Sequence, residues 1–331
     1  MLVVTGGAGF IGSALVWRLN QLGHEDILIV DALGNGDKWK NLVPLRYRDY
    51  LEKDQFLELV LADRLGQHLG ERGLPLDAIF HLGACSATTE RDARYLMQNN
   101  VAYSQQMALL ARRSGARFIY ASSAATYGDG TQGFDDDAAA LEQLRPLNMY
   151  GYSKHLFDLW LRRQGLLDSC VGLKFFNVFG PNEYHKGEMR SLVIKAYEQI
   201  VATGRIGLFK SYRPDYADGE QQRDFVYVKD VVDMTLFFLD HPQVNGLFNI
   251  GSCQAHSWNE LARAIFAALG REPAIDYIDM PSQLRDRYQY YTCANTDRLR
   301  RAGYAGTGYH LPDAVADYVR NYLVPGVVLG Q

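Results

Sequence analysis

Tyr150-Gly151-Tyr152-Ser153-Lys154 sets a tyrosine and a lysine four residues apart, a spacing that puts both on one face of a helix. A tyrosine hydroxyl titrates near pH 10 and is a poor base at neutrality. A neighbouring ammonium favours the phenolate, and a fall of about 3 units takes roughly 4 kcal/mol of differential interaction. A phenolate so placed can take a proton from an alcohol while hydride leaves the carbon for a nicotinamide, and the lysine can hold the cofactor ribose. Such pairs are common on helix surfaces, so Tyr150 and Lys154 alone decide nothing. Ser122-Ser123-Ala124-Ala125-Thr126-Tyr127 adds hydroxyls at the end of a predicted strand, the edge where α/β sheets bind ligands. Ser123 is the better candidate for a hydrogen bond to the reacting oxygen; Ser122 and Thr126 fit a structural role equally well.

Gly6-x-x-Gly9-x-x-Gly12 lies where a predicted strand turns into a helix. Glycines serve there for the tight turn, for close approach of backbone to a pyrophosphate and for helix–strand packing, and the helix N-terminus favours the phosphates. Asp31 ends the next strand, at the distance of roughly 20 residues that the dinucleotide fingerprint requires. An acid there accepts hydrogen bonds from a ribose 2′-hydroxyl and favours NAD, whereas Lys38 and Lys53 could neutralise a 2′-phosphate. The residues alone leave that choice open.

The elements that must position these groups follow from the hydrophobic pattern. Leu2-Val3-Val4, Ile27-Leu28-Ile29-Val30, Ala78-Ile79-Phe80-His81-Leu82, Arg117-Phe118-Ile119-Tyr120-Ala121 and Val171-Gly172-Leu173-Lys174-Phe175-Phe176 are near-continuous apolar runs. Helical stretches separate them, over 92–114 and 150–164 among others, which predicts a doubly wound, Rossmann-type parallel α/β sheet covered on both faces. Later in the chain, helices are expected over 188–203, 258–269 and 312–323, a strand running into a helix over 225–239 and a strand over 247–250. The polar stretch 210–222 reads as a loop. The expected division is 1–178 plus about 223–250 for the dinucleotide, and about 179–222 plus 251–331 for a smaller, interleaved α/β substrate domain.

Composition narrows the field. The chain has 331 residues, 34 Lys+Arg against 38 Asp+Glu and a net charge of −4, which gives no electrostatic footprint for nucleic acid or an anionic membrane. Four scattered cysteines without a CxxC suggest neither a disulfide framework nor a zinc site, and no metal is expected. No apolar run approaches the roughly 18 residues of a spanning helix, and Met1 leads into Leu2-Val3-Val4 without a basic segment. A soluble, cytoplasmic protein is the expectation.

Taken in order, Thr5-Gly6-Gly7-Ala8-Gly9-Phe10-Ile11-Gly12, His81-Leu82-Gly83-Ala84, Ser122-Ser123, Tyr150-x-x-x-Lys154, Asn177-Val178-Phe179-Gly180-Pro181 and Arg223-Asp224-Phe225-Val226 resemble the extended short-chain dehydrogenase/reductase family over essentially the full chain. Gly83-Ala84-Cys85-Ser86-Ala87-Thr88-Thr89-Glu90, Tyr184-His185-Lys186-Gly187 and Asp286-Arg287-Tyr288-Gln289 are similar to its branch of ADP-glycero-manno-heptose 6-epimerases. The resemblance implies NADP, with NAD as the lesser option, held by residues matching Phe10, Ile11, Asp31, Ala32, Lys38, Lys53, Leu82, Gly83, Ala84, Cys85, Ser86, Asn99, Lys154, Val178 and Lys186. Leu82 stands in place of the branch's acid there, so a backbone contact is expected from it.

For an ADP-heptose substrate the resemblance implies contacts from Ser86, Asn177, Arg223 and Tyr288, with Phe209, Lys210 and Ser211 at the nucleotide. Glu188 and Lys195 stand at two further contact positions but differ in type from the branch, as Lys210 does, and 212–222 is longer than its counterpart. Lys186 is implied as a second acid–base residue. Inverting one carbon without net redox change requires hydride to leave one face and return to the other, and the turned oxygen needs a proton partner on each side, within about 2.6–3.2 Å. His185 and Arg190, beside Lys186, are expected to help lower its pKa. A homo-oligomer is also implied. The alternatives are a 4-epimerase or reductase of the same family and, from another class, a non-catalytic NADP sensor. A 4,6-dehydratase is disfavoured because Ala124-Ala125 replaces the acid–base pair it needs.

Overall fold

The computed structural model describes residues 1–331 apart from Arg72, Asp286, Arg287 and the side chains of Gln283 and Leu284. The Asp286-Arg287 half of the last motif therefore lies outside the described residues. Its strands are β1 (Leu2–Thr5), β2 (Ile27–Asp31), β3 (Asp49–Glu52), β4 (Ala78–His81), β5 (Arg117–Ser123) and β6 (Val171–Phe175). β7 (Asn177–Phe179), β8 (Ile206–Phe209), β9 (Gln222–Tyr227), β10 (Gly246–Ile250), β11 (Ala255–Ser257) and β12 (Ile275–Ile278) follow.

The apolar runs become neighbours in one parallel sheet of seven strands, in the order β10-β6-β5-β4-β1-β2-β3. β1, β2, β4, β6 and β10 are buried along their whole lengths, as strands covered on both faces must be. Strand order reverses between β1 and β4, where Thr5 lies beside His81. The crevice beyond their carboxyl ends is where an open α/β sheet binds its ligand. One face is packed by the helices Phe10–Gln21 and Val228–Asp240, and this core runs on without a break into Leu192–Thr203, Trp258–Ala268 and Leu311–Tyr318. The other face is packed by Lys53–Leu61, Tyr103–Ser114 and Met149–Arg163. β7, β9 and β11 form a separate small sheet, and β8 pairs with β12.

Three predicted helices differ from the structure, the one expected over 312–323 being α-helical only to Tyr318 and ending in a π segment, Val319–Leu323. The helix expected over 188–203 begins only at Leu192, after a 3₁₀ segment Tyr184–Met189. Gly187 breaks the path at φ 54° and ψ −126°, and Glu183 captures the Ser191 N–H (2.5 Å) and hydroxyl (2.7 Å) that a continuing helix would use. The stretch 92–114 is helical but contains a π segment, Met97–Ala102, that turns Asn99 and Asn100 toward the crevice loop. Such insertions occur often at functional sites.

Candidate active site

The glycine turn is shaped by contact. Gly6 has φ +71°, and a Cβ there would come within 2.7 Å of Gly83 N; at Gly12 it would come within 2.0 Å of Gly6 O. The helix Phe10–Gln21 starts at Gly9 with no side-chain cap and no acid in its first turn, so its leading N–H groups are free to bind an anion. This cradle fits a dinucleotide pyrophosphate. Asp31 is buried and accepts hydrogen bonds from Ala8 N (2.9 Å), Ala32 N (2.7 Å) and Lys38 Nζ (2.8 Å). Lys53 reaches Asn99 Oδ1 at 3.2 Å. Phe10 and Ile11 open the helix, and Leu82, Gly83, Ala84 and Cys85 run along the adjacent strand end, half-buried, with Ser86 exposed.

That strand end is fixed by a buried relay. Leu82 N donates to Thr5 O and Gly83 N to Thr5 Oγ1, both at 3.1 Å. The Thr5 hydroxyl meets His81 Nδ1 at 2.7 Å, and Nε2 meets Ser104 Oγ, also at 2.7 Å, which donates to Asn100 O. Burial pushes the imidazole down to about 3, so it is neutral. With the Thr5 proton on Nδ1, hydrogen-bond logic places the ring proton on Nε2.

Tyr150 sits in the first turn of Met149–Arg163, where Asn148 caps the helix through Gly151 N at 2.7 Å. Ser123, at the end of β5, lowers the Tyr150 phenol pKa in part, but burial dominates and raises it above its ordinary value. The expectation that Lys154 draws Tyr150 toward the phenolate is not met. The Lys154 ammonium donates to Ala121 O at 2.9 Å, and burial lowers its own pKa to about 8. Asn100 clamps the constellation by bonding Cys85 N (2.9 Å), Cys85 O (3.0 Å) and Ser153 Oγ (3.0 Å), the last between Tyr150 and Lys154 in sequence. Ser122 and Thr126 join a structural network around the buried pair Lys174–Asp158.

Lys186 arrives from another element, the 3₁₀ segment, and its ammonium lies 5.0 Å above the Phe10 ring. Burial lowers its pKa, opposed by Glu183. The predicted neighbours act differently: burial pushes His185 to about 4, leaving it neutral, and Arg190 pairs with Glu198 at 2.5 Å.

Arg223, on β9, is buried, and no carboxylate lies within ion-pair distance of it among the described residues. Its guanidinium stacks 5.6 Å from Trp258 and 5.2 Å from Tyr288. Asp224 is instead bonded to the amides of Ser252, Cys253 and Ala294, and Asp230 to Tyr309 N. Its Nη1 donates to Gln222 O at 2.7 Å, and a buried guanidinium between aromatic rings with no carboxylate on it suits a diphosphate, which it can bind in bidentate fashion. Phe209 packs edge-on to Tyr288 at 6.3 Å. Lys210 turns away to Asp279 (3.2 Å), and Ser211 is held by Asp218 through its N–H at 2.7 Å. Asn177 is exposed at the start of β7, with Val178 half-buried next to it. Glu188 and Lys195 pair with each other at 3.3 Å, Glu188 being 97% exposed, so neither joins the Arg223 cluster.

The sequence pattern of the NAD dependent epimerase/dehydratase family matches residues 2–251. The chain belongs to that family. It is 57% identical over 323 residues to the ADP-L-glycero-D-manno-heptose-6-epimerase of Nitratidesulfovibrio vulgaris strain DP4, covering 98% of each chain. The corresponding protein of Fusobacterium nucleatum is 46% identical over 332 residues, again covering 98% of each. Among solved structures, the Helicobacter pylori ADP-L-glycero-D-manno-heptose-6-epimerase matches with a TM-score of 0.78 and 28% identity, covering 97% of this chain and 95% of that one.

Within this epimerase/dehydratase fold, sequence reasoning missed Asn100, His81 and Asn182. The signal available for Asn100 was a pair of asparagines inside an otherwise good helix, where their propensity is poor.

Proposed function

We propose that the chain is an isomerase that inverts C6″ of ADP-D-glycero-D-manno-heptose to the L-glycero epimer through a transient ketone, using NADP and feeding lipopolysaccharide core synthesis. The observation that carries this reading is the arrival of two acid–base side chains, Tyr150 and Lys186, from separate elements beside one cofactor cradle. Near-full-length identity to the named heptose epimerases supports the substrate. We read 1–178 with about 223–250 as the cofactor unit and about 179–222 with 251–331 as the substrate unit, in a cytoplasmic homo-oligomer.

A nicotinamide held in the cradle would supply the acceptor and donor for the C6″ hydride. The residues do the rest. Arg223 holds the diphosphate, with Tyr288 and Phe209 against the nucleotide. Tyr150, assisted by Ser123, takes the C6″ hydroxyl proton on one side. Lys154 orients the cofactor ribose. After the ketone turns, Lys186 supplies a proton to the oxygen on the opposite side. The test is incubation of the cofactor-loaded protein with ADP-D-glycero-D-manno-heptose, following C6″ configuration by proton NMR. Inversion without accumulation of reduced cofactor is expected; an unchanged sugar would overturn the reading.

Lys38 supports NADP. Asp31 already accepts from two backbone amides and from Lys38, which leaves it little capacity for a ribose 2′-hydroxyl and puts beside it a lysine able to bind a 2′-phosphate. Lys38→Ala is expected to weaken NADP by about 10–100-fold, the loss of one charge-assisted hydrogen bond, and NAD far less. Equal losses in titrations of the two cofactors would remove Lys38 from the phosphate site.

A further inference from the structure

Asn182 is wholly buried and takes φ +79°, uncommon for a residue with a Cβ. Its side-chain Nδ2 donates to Ser13 Oγ at 2.9 Å, and Oδ1 accepts from Leu329 N at 2.9 Å. Its backbone carbonyl accepts from Asn41 Nδ2 at 3.1 Å, and the same amide group donates to Ala8 O at 3.0 Å. Ser13 Oγ in turn donates to Gly9 O at 2.6 Å. One residue therefore ties the root of the Lys186 segment to two carbonyls of the glycine turn and to the C-terminal tail. The segment then turns at once, through Lys186 N to Glu183 O at 3.0 Å, and the Lys186 ammonium comes back over Phe10, the residue after Gly9. Both ends of the path from Asn182 to Lys186 Nζ thus rest on the cofactor turn.

We propose that Asn182 is a positioning residue for Lys186, fixing the distance between that ammonium and the cofactor turn so that proton transfer on the Lys186 side occurs from a set position. The proposal rests on Lys186 being the second acid–base group. Its consequence is selective: slackening this tie impairs the half-reaction served by Lys186 and spares the one served by Tyr150, because the helix turn that carries Tyr150 is fixed instead by the Asn148 cap and by the Asn100 clamp on Ser153, whose hydroxyl donates to Tyr150 O. A misplacement of about 1 Å costs on the order of 10²-fold in such a transfer.

The experiment uses the full chain loaded with NADP and each C6″ epimer in turn, reading reduced nicotinamide by stopped-flow absorbance, with Lys186→Met as reference. Asn182→Gly tolerates the positive φ and removes both side-chain bonds. From the epimer oxidised on the Tyr150 side, this variant is expected to form reduced cofactor within about 3-fold of the unaltered rate and to return hydride roughly 10²-fold more slowly, so that reduced cofactor accumulates. From the other epimer its oxidation slows by the same factor, and KM changes little. Asn182→Asp, which keeps the acceptor to Leu329 and loses the donor to Ser13, is expected to show the same asymmetry more weakly, and it decides the matter if the glycine variant does not fold. Equal slowing from both epimers, or none, overturns the role of Asn182 while Lys186→Met keeps its asymmetry. If Lys186→Met shows no asymmetry, the two-base reading itself fails and the proposal with it.

Discussion

Tyr150→Phe combined with Lys186→Met is expected to abolish inversion at C6″, each single substitution lowering turnover by about 10²–10⁴-fold, the usual worth of one positioned acid–base group. The two groups approach from different elements: Tyr150 from the first turn of its helix beside Ser123, and Lys186 from the 3₁₀ segment above Phe10. Burial raises the Tyr150 pKa and lowers that of Lys186, in each case favouring the neutral form. A raised tyrosine pKa makes the phenol the resting form, so the proton must leave as negative charge develops against Ser123. A lowered lysine pKa eases loss of the ammonium proton, the direction a proton donor to the turned oxygen requires. Turnover measured by NMR, with cofactor content checked in each variant, tests this directly. Substantial activity in the double variant would eliminate the two-base mechanism.

The second large effect is on stability. Lys174→Met should cost about 3–5 kcal/mol, the penalty of leaving one partner of a buried ion pair uncompensated. Asp158 is wholly buried and accepts from Tyr120 OH (2.8 Å), Ser122 Oγ (2.7 Å) and Lys174 Nζ (3.0 Å). Lys174 also donates to Thr126 Oγ1 at 2.7 Å. Deleting the lysine strands the carboxylate among two hydroxyls. Adding Asp158→Asn removes the stranded charge, so the double variant should recover part of the loss. Urea unfolding curves provide the measurement, and a single-variant loss below about 1 kcal/mol would mean that the pair does not behave as a buried one. Because the pair joins β5, β6 and the helix Met149–Arg163, activity should fall with it.

Much of this arrangement was legible in the sequence, for definite reasons. Strands buried on both faces must be apolar throughout, so β1, β2, β4, β5 and β6 announced themselves and placed the glycine turn and Ser123 at the ligand edge. β3 was missed because Asp49-Tyr50-Leu51-Glu52 is an edge strand with one buried side chain in four. β8 and β12 form a two-stranded ribbon of four residues each, β8 too short for its alternation to stand out and β12 largely exposed. The start of the Leu192–Thr203 helix was misplaced because Glu183 acts across the chain on Ser191, which no periodicity reveals. That Arg223 has no carboxylate on it is visible only in the structure, where the nearby acids Asp224 and Asp230 bond backbone amides. Asn100 and Asn182 are buried amides whose meaning lies wholly in what they touch.

β10 joins the sheet only by pairing with β6, Gly246 against Val171, after the intervening segments have been made. A ribosome working at about 5–20 residues per second needs roughly 4–15 s to cover that span. Throughout that interval β6 is the raw margin of the growing sheet, with unpaired N–H and C=O groups that invite association with another nascent chain. Lys174 is the single charge in the strand Val171-Gly172-Leu173-Lys174-Phe175. Replacing Lys174 by methionine leaves that open margin without a charge, and it is expected to lower the yield of folded chain as well as the stability of the chain once folded.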